Sequence, residues 1–396
     1  MLGHLGDWAN LLLRWAHFIA GIAWIGSSFY FIWLDRALTT PAPRRPGVEG
    51  EVWMVHSGGF YQTEKRRPGP GEMPAVLHWF KWEALFTWIT GIALLVLIYY
   101  LSQAYLLDPA VSKIDRGTAT AFGIGLLVVG WVVYDLLWRS PLATTGQGAI
   151  ATTVSLVLLT SVTVAACRLL SGRAAFMHVG ALLGTVMVAN VWMRILPAQQ
   201  AMIDATKSGR PADFTMGERA KQRSVHNSYM TFPLLFIMLS NHYPATYAGT
   251  ANWLVLLLLF VAGGAVRHAM IGRGSSARWA LMPAAAALAG AIFLSTPRAA
   301  ATTSPAADAV PSFSTIRAIV TQRCMPCHSR FPSDNSFGAA PAGVAFDTPE
   351  SIAALAPRIL VRAVATQTMP LANKTGMTAD ERALLARWIA AGAPLR

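Results

Sequence analysis

Eight stretches of the chain, at about 11–34, 79–101, 117–138, 148–167, 174–196, 224–243, 247–270 and 277–295, stay apolar for long enough to cross a hydrocarbon core as a helix. The pattern predicts a polytopic bundle of eight transmembrane helices over residues 1–295. The first stretch reads as a span and not as a cleavable leader: its apolar run is too long, no basic region precedes it and no small-residue cleavage pattern follows. After the last span the texture changes. Residues 296–311, rich in Pro, Ala and Thr, read as a linker. Over 312–396 apolar and polar positions alternate at helical spacing. A helix is expected from about Ser312, a Gly/Pro-rich loop over 331–343, a helix near 349–366 and a last helix after Thr378. In that last helix Glu381 stands three residues past Thr378, as in a capping box, and Leu384, Leu385 and Trp388 mark the buried face. The expected fold class is all-α, a membrane bundle followed by a small helical unit.

Composition agrees with a membrane protein, since 54% of residues are hydrophobic and only 13% charged. The loops 35–76, 139–147, 197–223 and 271–276 carry 13 lysines and arginines between them, whereas 1–10, 102–116, 168–173 and 241–246 carry four. The positive-inside rule puts the first set in the cytoplasm. Eight crossings then leave both termini on the periplasmic side of a bacterial inner membrane. The net charge of +13 follows from those loops and would favour an anionic substrate at the cytoplasmic mouth. Basic loops of this kind are topology signals, and no nucleic-acid motif accompanies them. The long loops 35–76 and 197–223 exceed ordinary connections and are expected to be functional or disordered.

The run Cys324-Met325-Pro326-Cys327-His328 has the spacing of a c-type haem attachment site. Two thioethers would fix the porphyrin and His328 would ligate its iron. Zinc is the competing reading of C-x-x-C, but Cys167 is the one remaining cysteine and lies in a distant apolar run. Haem attachment outside the cytoplasm agrees with the orientation from charge, so 312–396 is expected to be a periplasmic cytochrome c. Met369, in Thr-Met-Pro, is the expected sixth ligand, with Met377 as competitor.

Ionisable groups inside a bilayer are functional hypotheses by default. In the first span Arg14, His17, Gly21, Trp24 and Ser28 form one stripe, which should face the bundle. His17 and His178 fall at matching depth on different helices; a bis-histidine haem b is one reading, two hydrogen-bonded bundle histidines the other. Toward the cytoplasmic face lie Glu83, Asp135, Asn190 with Arg194, His226 with Asn227, and Arg267 with His268, together with His78 and, in the first long loop, His56. A buried carboxylate or histidine there could act as a base, and an arginine could clamp a planar anion. Ion pairing that knits the bundle is the plainer reading of each residue singly.

The segments Val55-His56-Ser57-Gly58-Gly59-Phe60-Tyr61, Leu77-His78-Trp79-Phe80-Lys81-Trp82-Glu83-Ala84, Asn190-Val191-Trp192, Ile195-Leu196-Pro197 and Ser224-Val225-His226-Asn227 resemble the membrane-bound urate oxidases (urate hydroxylases) of bacteria. The resemblance covers the whole chain. It departs at Ser57, where many members carry Gly, a change the loop is expected to tolerate. The resemblance implies an eight-helix domain fused to a cytochrome c, and two-electron oxidation of urate to 5-hydroxyisourate in purine catabolism. Electrons would pass to the haem c and on to a soluble cytochrome or terminal oxidase. Glu83, His78, His226 and Arg194 are then the candidate catalytic residues, and His56, Asn190, Asn227, Arg267 and His268 the candidates for binding urate. A membrane dehydrogenase for another reductant, such as a quinol, is the first rival; a transporter or redox sensor with a reporting cytochrome is the second. No G-x-G-x-x-G at a strand–helix turn points to a dinucleotide.

Overall fold

The computed structural model describes residues 2–101, 105–144, 148–272, 275–296, 310–334, 337 and 339–396. The expected linker at 296–311 therefore lies almost wholly outside the described residues. The chain is mostly helical. In the first part run α1 (Leu2–Ala37), α2 (Trp82–Leu95), α3 (Arg116–Leu137), the short α4 (Pro141–Thr144), α5 (Gly148–Leu169), α6 (Gly172–Asn190), α7 (Leu196–Lys207), α8 (Phe214–Ser240), α9 (Asn252–Ile271) and α10 (Leu281–Ser295). The second part has α11 (Phe313–Arg323), α12 (Pro349–Ala354), α13 (Ala356–Ile359) and α14 (Ala379–Ala390).

Seven of the described helices are long and apolar enough to cross a membrane by length and composition. The exception is α8, expected as a span over 224–243. Glu218, Arg219, Lys221 and Arg223 load its first turns, yet Thr231, Leu234 and Ile237 are buried between α6 and α9. Another helix is the hub: across Gly172–Lys207 72% of the apolar window is buried, against 11–28% in the other six. Small residues allow that crowding. A Cβ on Gly180 would come within 2.7 Å of Ile237 on α8. On α1 the reverse holds, with Leu11, Trp15, Phe18 and Ile22 more than half exposed and Trp24 buried. Such an apolar belt is what a lipid-facing helix offers; of the polar stripe Trp24 is buried and His17, Gly21 and Ser28 are half-buried, whereas Arg14 is exposed.

Caps fix where several helices start. The side chains of Asp115, Ser171 and Asp213 accept from the N–H groups of Thr118, Ala174 and Thr215 at 3.0, 3.2 and 2.9 Å. Between α6 and α7 the chain does not break but widens into a π-turn over Val191–Ile195, so the span expected at 174–196 continues to Lys207. A widened turn changes which side chains share a face, and such turns recur at functional sites.

The loop 35–76 holds the first departure from an all-α fold. Strands β1 (Val48–His56) and β2 (Gly59–Arg66) pair antiparallel, with Trp53 opposite Gln62 and Val55 opposite Phe60. Ser57 and Gly58 make the two-residue turn with φ of 49° and 77°. A two-residue hairpin of this kind needs positive φ at both positions, which explains a preference for glycine where this chain has serine. Lys65 pairs with Asp35 at 2.9 Å and ties the hairpin to the end of α1. The second long loop is likewise largely helical, taken up by α7 and the start of α8.

The second part has its own core, built from Ile316, Val320, Ile352, Ile359, Leu385 and Trp388 among others. Trp388 is fully buried and its indole N–H donates to the Pro394 carbonyl at 2.8 Å. Thr378 and Glu381 form the expected capping box. The helix expected near 349–366 is three pieces: α12, α13 and a wide turn over Leu360–Ala365.

Candidate functional site

At one end of the bundle, where α2 begins and α3, α6 and α9 finish, α8 brings its polar first half against them. Asp135 on α3 is 5% exposed and collects arginines. Arg194 Nε donates to Oδ1 at 2.7 Å and its Nη2 donates to Oδ2; Arg223 Nη2 donates to Oδ1 at 3.1 Å. Arg139 stands 3.8 Å away. One carboxylate facing three guanidinium groups leaves positive charge in excess. Arg194, expected to clamp an anion, has its fork already on Asp135. Arg223 keeps Nη1 buried without a partner and lies 5.0 Å from the Tyr134 ring centroid.

A chain of amides and rings runs beside that cluster. Asn227 Nδ2 donates to the Met187 carbonyl at 2.9 Å, which can only accept. Asn227 Oδ1 therefore faces Asn190 and accepts from its Nδ2 at 2.9 Å. The same Nδ2 donates to the Tyr134 hydroxyl oxygen at 3.0 Å. The phenol's single proton goes to His226 Nδ1, 2.8 Å away. With the phenol donating, the neutral His226 ring carries its own proton on Nε2. The ring packs on Trp138, centroids 4.1 Å apart. Asn190 is fully buried and its Oδ1 has no partner among the described residues.

Arg267 on α9 is 1% exposed, and its Nε donates to Ser228 Oγ while the guanidinium lies 5.2 Å from the Phe29 ring centroid. Its Nη2 is unpartnered, as is Glu83 Oε2 in the first turn of α2. Neither has an ion-pair partner among the described residues. His268 is exposed and shares a proton with Tyr229 at 2.8 Å. Of the residues expected from sequence, Asn190, His226 and Asn227 fall in one chain and Arg194 in the Asp135 cluster beside it. Sequence missed Tyr134, Arg223 and Ser228, although Arg223 lies three residues before His226 on the same helical face.

Two other candidates lie elsewhere at this end. His56 is exposed at the hairpin turn, bonded to Ser57 at 2.9 Å. His78 packs edge-on to Phe80 and lines a cavity of about 340 Å³ with Trp79, Met202 and Phe214. Trp79 also walls a second cavity of about 260 Å³, with Lys81, Trp192, Leu196, Pro197 and Gln200.

Toward the opposite end, His17 Nδ1 donates to the Thr87 carbonyl at 2.9 Å, and His178 Nδ1 donates to that of Ala174 at 2.8 Å. Both rings carry Nε2 as the lone-pair nitrogen. His178 Nε2, however, accepts from the Tyr100 hydroxyl at 2.9 Å, and a Cβ on Gly123 would come within 2.7 Å of it. As it stands the pair is hydrogen-bonded, and a bis-histidine haem b would have to take the place of the Tyr100 hydroxyl at His178 Nε2.

In the second part, Cys324 closes α11, and His328 N–H donates back to its carbonyl at 2.9 Å. That tight turn gathers both thiols and the imidazole. His328 Nδ1 donates to the Val344 carbonyl at 2.9 Å, leaving Nε2 with a free lone pair, the orientation usual for a ligating histidine. Burial pushes the Cys324 thiol up to about 12; burial and then Asp334 push Cys327 up to about 11. Both remain neutral thiols near pH 7. No group of three or more His, Cys, Asp or Glu that could hold a metal ion occurs among the described residues. Two thiols and an oriented imidazole in one turn fit a covalently held porphyrin. Met377 is 3% exposed and packed in the core, whereas Met369 is only half-buried, with its carbonyl accepting from Arg382 at 2.8 Å. The packing leaves Met369 the freer thioether.

Residues 3–296 match the family described as Urate oxidase N-terminal, and the chain belongs to that family. No curated protein and no solved structure matches it.

Proposed function

We propose that this member of the urate oxidase N-terminal family is a membrane-bound, cytochrome c-dependent urate oxidase. It converts urate and water to 5-hydroxyisourate, releasing two electrons and two protons. The observation that carries the reading is the joining, in one chain, of the family's 3–296 segment to a Cys324–His328 turn whose imidazole presents a free Nε2. Cys324 and Cys327 would hold haem c through thioethers, and His328 and Met369 would supply ligands to its iron. That group supplies a one-electron acceptor when bound, so urate gives up its electrons in two successive transfers, and a soluble cytochrome or terminal oxidase drains them.

The membrane segment is read as eight crossings, α8 included. Its Arg223 is bonded inside the bundle to Asp135, while Glu218, Arg219 and Lys221 ahead of it are exposed. Both termini and the cytochrome unit are then periplasmic, and the Asp135 cluster faces the cytoplasm. In this arrangement Arg267, buried without a carboxylate, is suited to stabilise an anionic oxygen, and Glu83, whose Oε2 has no partner, is suited to take a proton as electrons leave. Asp135 neutralises Arg194 and holds the π-turn against α3, a positioning role.

Anaerobic mixing of the purified haem-loaded protein with urate tests the reading. The absorption spectrum of a reduced c-type haem should appear, with 5-hydroxyisourate as product. Reduction by a quinol but not by urate would assign the protein to quinol oxidation, and unconverted urate would leave a transporter or sensor.

A further inference from the structure

Lys81 lies just ahead of α2, and its ammonium has no carboxylate, carbonyl or hydroxyl partner among the described residues. Its neighbours are indoles: Nζ is 5.4 Å from the ring centroids of Trp79 and Trp82 and 5.7 Å from that of Trp192. Trp82 and Trp192 meet edge-on at 5.4 Å. Local sequence explains part of this cage, because Trp79 and Trp82 bracket Lys81. The π-turn supplies the rest, presenting Trp192 toward α2 while Asn190 and Arg194 face α3. Lys81, Trp79 and Trp192 form walls of the 260 Å³ cavity, and Trp192 Nε1 is a buried donor with no acceptor.

Aromatic cages commonly hold a ligand cation. Here the cage already contains one, so a second cation would meet like charge. What it lacks is an anion. Flat indole faces and an unpaired ammonium together complement a flat anion. We propose that this cavity is the binding site for the substrate as a planar oxopurine anion, stacked on Trp79 and Trp192 with its charge on Lys81. The inference rests on the urate reading and adds to it binding residues beyond the histidines and arginines singled out from sequence.

Equilibrium dialysis of radiolabelled urate against the full detergent-solubilised protein tests it. Lys81→Gln should raise the Kd about tenfold or more, since a charge-assisted contact is lost. Lys81→Arg, which keeps the charge, should stay within about threefold, and Trp192→Leu should weaken binding several-fold through lost stacking. Added salt should weaken wild-type binding and leave Lys81→Gln almost unaffected. Unaltered uptake by Lys81→Gln, with wild-type protein binding urate, overturns the cage alone. If the wild-type protein takes up no urate, the urate reading falls with it.

Discussion

His226 ends a chain of hydrogen bonds that starts at the Met187 carbonyl, three side chains away. With Nδ1 accepting from Tyr134, the ring presents Nε2–H, a donor. Acting as a base through Nε2 would demand that the proton move to Nδ1 and break the Tyr134 bond. Asp135, Arg194 and Arg223 stand around it as charged groups, and the excess of guanidinium disfavours a further positive charge. His226 is therefore expected to donate to a substrate oxygen. His226→Gln, whose amide can donate from a similar place, should keep urate-driven haem reduction within about tenfold. His226→Leu should lose about 10²–10³-fold, the usual cost of a lost donor to developing charge. Stopped-flow rates across pH decide it; a Gln variant as dead as the Leu variant, with one limb of the profile gone, makes His226 the base after all. Met369→Ala should lower the haem potential and slow turnover with urate affinity intact, as read by redox titration. An unchanged potential moves the ligand to Met377.

Elements differ in how local their causes are, and that decides what could be read from sequence. The start of α14 needed only four consecutive residues: Thr378 accepts from Glu381 N–H at 3.2 Å and Glu381 returns to Thr378 N–H at 2.7 Å. Burial pushes the Glu381 carboxyl up, but that bond and the Arg323 ion pair outweigh it and hold the group below its usual range. A depressed carboxyl contributes stability above its unfolded pKa of roughly 4.3 and loses it as pH falls through the folded value. Hydrogen exchange over 379–390 should accordingly speed up below about pH 4, after correction for intrinsic rates. Glu381→Gln should exchange faster at pH 7, by about 1 kcal/mol of lost protection, with little further acid response. By contrast, α8 was legible as a span over 224–243, but its start was read as loop, and Arg223, Asn227 and Ser228 have partners on α3, α6 and α9 that no local pattern names. The hairpin hid in a stretch read by its charges and length, although Ser57-Gly58 between two apolar-polar alternating runs carried its signal. The Lys81 cage depended on a π-turn over a hundred residues downstream. Asn190, His226 and Asn227 were legible as polar residues in apolar spans; which nitrogen holds a proton was not.

Across the whole molecule, the proposed arrangement puts the polar network and the C-terminal unit on opposite faces of a hydrocarbon core about 30 Å thick. The C-terminal unit meets the bundle where Arg362 faces Tyr247, in the loop between α8 and α9. The Asp135 cluster lies instead where α3 and α6 finish. A second electron carrier at the His17/His178 pair would have to displace the Tyr100 hydroxyl from His178 Nε2. Either urate is oxidised at the Asp135 end and electrons cross most of the core, or urate reaches the C-terminal face. The positive excess around Asp135, the orphaned Glu83 and Arg267, and the Lys81 cavity all favour the first. Vesicle orientation separates the two, because urate is an anion and crosses lipid slowly. Inverted vesicles, exposing the cytoplasmic face, should show haem reduction at once on adding urate. Right-side-out vesicles should stay oxidised until permeabilised, while a membrane-impermeant reductant reaches their haem directly. Immediate reduction in sealed right-side-out vesicles would put the substrate on the cytochrome's side and reduce the Asp135 network to a structural knot.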